Sequence, residues 1–308
     1  MAHISWLEAG VIGLVQGVSE LFPVSSLGHS VLIPALLGGR WARDLSVSAP
    51  ESPYLAFIVG LHVATAIALV IFFRREWARI VVGLLTSIRD RSIRTPEQRL
   101  GWLLVLGTIP IGIAGLALEH LFRTVLGRPV PTAFFLILNG LLLAGAERLR
   151  RSAVRRSPGR VIDPDAVAND GGIASDRRLA GTTAGSAFAI GAAQIAALLP
   201  GVSRSGSAMA AGMLRGFSHE DAARFSFLLA TPVILAAGVL KLPDLFGPLG
   251  DGIRGQVLFG SVLSGLGAYV AVRFLTRYFR TRTLTPFAIY CVAAGAFSLI
   301  VFAIRGVS

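Results

Sequence analysis

Six stretches of the chain are apolar almost without interruption: Tyr54–Phe73, Leu100–Leu118, Pro131–Ala146, Ala222–Leu242, Gly255–Leu275 and Pro286–Ile304. They have the length and purity of helices that cross a hydrocarbon core, for which about 20 residues suffice. Two further stretches are broken. Ile4–Phe22 runs into Pro23 and a polar cluster before it resumes as Ser30–Leu37. Leu179–Leu199 runs into Pro200 and a similar cluster before it resumes as Ala208–Leu214. Neither second arm can span a bilayer, and a broken helix persists at membrane depth only where protein or a cavity covers its free backbone groups. Both stretches are therefore expected to be re-entrant helical hairpins.

The polar segments between the spans set the orientation. Arg74, Arg75, Arg79, Arg89, Arg91, Arg94 and Arg99 share one loop, and the segments Arg148–Arg178 and Arg273–Arg282 are also arginine-rich. Basic loops stay on the cytoplasmic side, so these three are expected there, with both termini outside. The short stretch Trp77–Ile88, flanked by arginines, reads as an interfacial helix. With that orientation the first hairpin opens outward and the second enters from the cytoplasm. The chain then divides into a first repeat at residues 1–147, a cytoplasmic linker at 148–178 and a second repeat at 179–308. Each repeat is a hairpin followed by three spans, in opposite orientations, and inverted repeats of this kind place their sites at the repeat interface. Arg151–Arg178, polar and containing Pro and Gly, is expected to be disordered. The fold class is all-α: a polytopic membrane helix bundle with two re-entrant hairpins and inverted-topology repeats.

Composition sharpens this picture. The chain of 308 residues is 54% hydrophobic and 15% charged, against about 25% charged residues in soluble proteins. A net charge of +12 invites a nucleic-acid partner. Here, however, the arginines fall in short loops where topology accounts for them, so no nucleic acid is expected. The single cysteine, Cys291, lies in an apolar run and excludes a disulfide framework or a CxxC pair. No basic region and small-residue cleavage site precede the first apolar segment, which is expected to stay in the mature protein.

Candidate chemistry gathers at the two helix breaks. The first reads Gln16-Gly-Val-Ser-Glu20-Leu-Phe-Pro23-Val-Ser25-Ser26-Leu-Gly28-His29. Gln16 and Glu20 share a helix face, and Glu20 is a carboxylate inside an apolar hairpin, costly unless paired. Pro23 stops the helix, and Ser25, Ser26 and His29 are expected in the irregular segment that follows. The second break reads Leu199-Pro200-Gly201-Val202-Ser203-Arg204-Ser205-Gly206-Ser207. Backbone N–H groups at the next helix start can face an anion, and the Arg204 fork matches phosphate oxygens. If the hairpins meet at mid-membrane, Glu20, Ser26, His29 and Arg204 converge. Glu20 can then hold a divalent cation, Mg or Ca, against a diphosphate whose oxygens complete the coordination. The plainer reading of each group stays open: an ion pair of Glu20 with Arg204, packing hydroxyls for Ser25, Ser26 and Ser203, a core hydrogen bond for His29. The concentration of all these groups at the two breaks favours a site. His62, alone within an apolar span, is a weaker candidate for lining it. Asn139 and Gln194 read as packing groups, and His3, His120 and His219, near span ends, as structural.

The two clusters resemble the undecaprenyl-diphosphate phosphatase, or bacitracin-resistance, family. Gln16, Glu20, Pro23, Ser25, Ser26, Gly28 and His29 match its first motif, and Pro200, Gly201, Ser203, Arg204, Ser205 and Gly206 its second. Leu61-His62-Val-Ala-Thr65, Ser226-Phe-Leu-Leu-Ala-Thr-Pro232 and Thr285-Pro-Phe-Ala-Ile-Tyr290 follow in the family's order. The chain departs from the pattern at Ser207-Ala208, where the family has Ala-Thr, at Leu27, where a third serine is common, and in a longer linker. The resemblance implies a multi-pass protein of the bacterial inner (plasma) membrane that hydrolyses undecaprenyl diphosphate to the monophosphate, recycling the lipid carrier of cell-wall assembly. It implies catalytic roles for Glu20, His29, Ser26 and Arg204, with His29 or Ser26 as nucleophile or His29 activating a water. Gln16, Ser25, Ser203, Ser205, Gly206 and Ser207 would contact the polyprenyl diphosphate, and Glu20 the metal. A homodimer is left open. The competing class is a polyprenyl-phosphate transporter or flippase without hydrolysis; a non-catalytic membrane scaffold is the third.

Overall fold

A computed structural model of the chain describes residues 4–45, 53–156, 173–247 and 250–307. These residues are helical throughout, in the order α1 (Trp6–Leu21), α2 (Ser26–Leu37), α3 (Gly39–Asp44), α4 (Pro53–Phe72), α5 (Arg74–Arg89), α6 (Pro96–Leu126), α7 (Pro129–Arg156), α8 (Ile173–Ala180), α9 (Ala184–Ala193), α10 (Arg204–Leu214), α11 (His219–Phe246), α12 (Arg254–Tyr278) and α13 (Thr285–Arg305). Among them α4, α6, α7, α11, α12 and α13 are long and apolar enough to cross a membrane, and they answer to the six runs expected from the sequence. The protein is an all-α, polytopic membrane helix bundle. His3, the His120 side chain and positions 157–172 of the expected linker lie outside the described residues.

The two interrupted stretches are helix–break–helix units, but their arms begin at other residues than the hydropathy suggests. α1 opens on a capping box in which the Glu8 N–H donates to Ser5 Oγ and the Ser5 N–H to Glu8 Oε2. It ends just before Pro23, whose ring disfavours a helical residue ahead of it. The second arm starts at Ser26 rather than Ser30, because Ser25 caps it: Ser25 Oγ accepts from the Gly28 N–H at 3.2 Å. Ser26 and His29 thus sit in the first turns of α2 and not in an irregular segment. In the same way Ser203 Oγ accepts from the Gly206 N–H at 3.1 Å and α10 starts at Arg204 rather than Ala208. The first arm of this second unit begins at Ala184, capped by Thr183, and ends as a 3-10 turn over Gln194–Leu198; Leu179 belongs to α8.

Close packing of small residues fixes which helices touch. α1 lies along α12 where Gly13 and Gly17 meet the backbone of Gly260 and Ser264, and α9 lies along α6 where Gly191 meets Gly107. α7 and α13 pair reciprocally: Gly140 receives Ala288 and Val292, while Gly295 receives Ala133 and Ile137. Small residues let membrane helices approach to backbone contact, where dispersion and weak polar contacts replace the missing hydrophobic drive.

Ion pairs tie one end of the bundle together. Asp176 on α8 bonds Arg79 and Arg224, each at 3.0 Å, and Arg224 also reaches Glu76 at 3.3 Å. Arg178 pairs with Asp221 at 2.7 Å, Glu147 with His219 at 2.8 Å and Arg151 at 3.0 Å, and Arg280 with Glu220 at 3.4 Å. All three arginine-rich segments therefore gather at this end. Parts of the stretch expected to be disordered are helical: α7 continues to Arg156, and α8 packs against α6 and α11. Along α5, Val81, Val82, Leu85 and Ile88 are exposed beside the arginines, the amphipathic pattern of an interfacial helix.

Candidate active site

The two helix breaks meet in the interior, at the carboxylate of Glu20. This group sits in the last turn of α1 and is 7% exposed. Oε1 accepts from Arg204 Nη2 at 2.7 Å. Oε2 accepts from Gln16 Nε2 at 2.9 Å and from Ser26 Oγ, and lies 3.2 Å from His62 Nε2. Four elements thus converge: the end of α1, the starts of α2 and α10, and the middle of α4. A buried carboxylate costs several kcal/mol unless it is paired and hydrogen-bonded, and here the partners come from Gln16 on α1 itself, Ser26 on α2, His62 on α4 and Arg204 on α10.

Two of the partners of Glu20, and a neighbour in the second break, keep buried polar atoms unpartnered. Arg204 Nη1 is buried with no hydrogen-bond partner, and so are Gln16 Oε1 and Ser207 Oγ. Leaving a buried donor unmade costs about 1–3 kcal/mol, more when it is charged. A guanidinium that spends one nitrogen on Glu20 and holds the other free is therefore prepared for an anionic oxygen from outside the chain.

Other motif residues hold the breaks in place. Ser25 adopts φ +69°, a region that costs a non-glycine residue on the order of 1–3 kcal/mol; its Oγ caps α2 and its carbonyl faces His29 Nδ1 at 2.7 Å. Ser203 caps α10 and shares a 3.0 Å contact with Ser205 Oγ, which in turn donates to the Phe22 carbonyl at 3.2 Å. Gly206 packs against Ser203, Leu143 and Pro23, and Gly201, at φ +110°, brings its Cα onto the Thr132 carbonyl where a side chain has no room. Ser25, Ser203, Ser205 and Gly206, expected as substrate contacts, are thus engaged with the protein itself. Gln16, Ser207 and Arg204 keep unpartnered polar atoms.

Of the four side chains expected to converge, Glu20, Ser26 and Arg204 do. His29 has its polar partners elsewhere: Nδ1 faces the Ser25 carbonyl and Nε2 the Tyr290 hydroxyl, each at 2.7 Å, with the two rings stacked at 5.7 Å. A carbonyl only accepts, so Nδ1 carries a hydrogen and Nε2 is left to bond the Tyr290 hydroxyl. The histidine on Glu20 is His62, with its own Nδ1 on the Ile58 carbonyl at 2.9 Å. The signal for it was its place in the Leu61–Thr65 segment, which the lone-histidine argument outweighed. Asn139, read as a packing group, bonds both breaks, as described below. Gln194 is fully buried with its amide unpartnered, and His219, read as structural, does pair with Glu147.

His29 and Tyr290 line an open apolar cavity of about 600 Å³ between α1, α2 and α13, walled by Leu14, Val18, Phe22 and Ile33 among others. For a metal ion, no group of three or more His, Cys, Asp or Glu residues occurs among the described residues. The oxygens beside the Glu20 carboxylate are Ser26 Oγ and the orphaned Gln16 Oε1, with His62 Nε2 the one nitrogen there able to ligate a metal. Oxygen donors with a single carboxylate suit a hard cation that keeps phosphate oxygens in its shell.

Residues 9–297 match the family described as Bacitracin resistance protein BacA. A protein of Mycolicibacterium paratuberculosis named undecaprenyl-diphosphatase is 65% identical over 304 residues, covering 99% of each chain. One of Mycobacterium avium with the same name is 64% identical, with the same coverage. Undecaprenyl-diphosphatase 1 of Frankia casuarinae is 51% identical, over 99% of this chain and 100% of that one.

Proposed function

The chain belongs to the bacitracin-resistance family BacA, and from that membership and the Glu20 site we propose that it is an integral membrane phosphatase that hydrolyses undecaprenyl diphosphate to undecaprenyl phosphate and phosphate. The observation that carries this reading is the buried, unpartnered Nη1 of an arginine whose other nitrogen is fixed on Glu20. Phosphoryl transfer needs little covalent help from the protein; it needs charge placed where the transition state is negative. Arg204 meets that need for the equatorial oxygens of the terminal phosphoryl group.

Ser26 supplies the other half. Its O–H donates to Glu20, so an oxygen nucleophile at this position, the Ser26 hydroxyl or a water beside it, passes its proton to the carboxylate as it attacks phosphorus. The bond that breaks joins the terminal phosphorus to the bridging oxygen, which leaves on the lipid monophosphate; where Ser26 is the attacking group, a water then cleaves the phosphoserine, releasing phosphate and restoring the hydroxyl. His29, held by Tyr290, stands by the apolar cavity, which offers the polyprenyl chain a hydrocarbon surface. A divalent cation, Mg or Ca, held by Glu20 and Gln16 Oε1 with phosphate oxygens, would supply further neutralisation of the diphosphate charge.

The reciprocal glycine contacts of α7 with α13, and of α1 with α12 against α9 with α6, support two inverted repeats at 1–147 and 179–308. The gathering of arginines at one end supports a cytoplasmic face there, in a bacterial plasma membrane. The names of the relatives favour hydrolysis over lipid translocation without hydrolysis. Phosphate release from undecaprenyl diphosphate by the purified protein in detergent tests the proposal. Turnover that depends on a divalent cation is expected, and lipid movement in liposomes without phosphate release would overturn it.

A further inference from the structure

A helix break leaves free carbonyls at the end of one arm and free N–H groups at the start of the next. Two breaks meeting inside a bundle therefore pose a double problem, and one side chain answers for both. Asn139, midway along α7, is fully buried. Its Nδ2–H donates to the Pro23 carbonyl in the first break, and its Oδ1 accepts the Ser203 N–H in the second, each at 3.0 Å. Nδ2 also lies 3.3 Å from Cys291 Sγ on α13. Pro23 follows Glu20 in the same break, and Ser203 is the residue before Arg204. The chain offers no short covalent path between these points, and beside the Ser205 bond to the Phe22 carbonyl and the Arg204–Glu20 pair, the Asn139 carboxamide is the one link that reaches the backbone of both breaks among the described residues.

We propose that Asn139 is a positioning residue of the phosphatase: it clips the break bearing Glu20 and Ser26 to the break bearing Arg204, and so fixes how the paired carboxylate and guanidinium, with the free Nη1, are presented to the diphosphate. This rests on the phosphatase reading above. No similar side chain does the same job. Leucine has the shape without either hydrogen bond, aspartate keeps the acceptor for Ser203 but loses the donor to Pro23, and glutamine is one methylene too long. Attraction between a diphosphate and Arg204 falls off slowly with distance, so ground-state binding tolerates a small shift of the two breaks. Transition-state stabilisation does not, since a misplacement of about 1 Å costs on the order of a hundredfold in rate. Loosening the clip should therefore appear in kcat and hardly in KM.

The test compares the parent, Asn139→Leu, Arg204→Lys and the double variant, purified in detergent, by kcat and KM on undecaprenyl diphosphate and by Tm. Asn139→Leu should lower kcat by about ten- to a hundredfold with KM within about threefold, while Tm falls because the Ser203 N–H and the Pro23 carbonyl lose their partner. Because the clip acts through Arg204, the double variant should be little slower than the slower single, whereas independent effects multiply. Should Asn139→Leu fail to fold, the near-isosteric Asn139→Asp is read by the same split of kcat from KM. Parental kcat in the folded variant, or losses that multiply in the double, would overturn the inference and leave the phosphatase reading standing. A parent that releases no phosphate removes that reading, and this one with it.

Discussion

Arg204 separates a catalytic from a merely structural use of the buried ion pair. Replacing it by lysine keeps the charge and removes the fork. In the structure Nη2 is committed to Glu20 Oε1 at 2.7 Å while Nη1 is free; lysine presents one nitrogen and must choose between Glu20 and the phosphate. Losing one charge-assisted hydrogen bond to the reacting group amounts to about 1.5–3 kcal/mol. At about 1.4 kcal/mol per tenfold, kcat/KM should fall by at least tenfold. Stability should change less than a general rule for buried pairs suggests. Stranding one partner of such a pair typically costs about 3–5 kcal/mol, but Glu20 without Arg204 still has Gln16, Ser26 and His62 around it. Arg204→Ala should therefore be folded and inactive, and Glu20→Ala, which leaves Arg204 with no carboxylate, the less stable of the two. Phosphate release and Tm on both singles and the double decide the matter. Unstable singles whose fold is restored in the double would refute the reasoning and make the pair a structural salt bridge.

Three other outcomes follow from the same geometry. Glu20→Gln should abolish hydrolysis and excess chelator should do the same to the parent, with Gln16→Ala milder; full activity in chelator removes the cation from the site. Ile33→Trp, which fills the apolar cavity, should raise KM for undecaprenyl diphosphate while leaving a short-chain prenyl diphosphate unaffected, and equal effects on both would sever the cavity from the lipid chain. In a background with Cys291 replaced by Ala, single cysteines at the exposed positions Ser152 and Asp251 should be labelled from opposite faces of the membrane; labelling of both by an impermeant reagent in intact cells contradicts the inverted repeat.

The spans were legible because hydrocarbon thickness dictates length and apolarity together, and nothing competes with that signal. The arms of the breaks were misplaced by four residues because hydropathy cannot see a cap: Ser25 and Ser203 turn polar residues into helix starts through one hydrogen bond each. Glu20 and Arg204 stood out as charges at helix breaks. His62 and Asn139 did not, since a single polar residue in an apolar helix looks the same whether it meets a packing neighbour or an active-site carboxylate. Only the crossing of α4 and α7 with the breaks distinguishes these cases. His29 was drawn to Glu20 by adjacency in sequence, yet its ring finds its partners in the Ser25 carbonyl and in Tyr290 on α13.

The seating of α1 along α12 through Gly13, Gly17, Gly260 and Ser264 bears on how the protein is made. α1 leaves the ribosome long before α12, the helix against which it packs most extensively. At about 5–20 residues per second, α1 waits on the order of ten seconds or more before α12 exists to receive it. During that interval Glu20 lacks its counter-charge, since Arg204 is not yet synthesised, and has only Gln16, Ser26 and His62 as partners. The nascent first half must therefore be sheltered at the insertion machinery, held at the lipid–water boundary or kept neutral by a proton until the second half arrives. A chain split within residues 157–172 and expressed as two pieces should accordingly regain activity only when both pieces enter the membrane together.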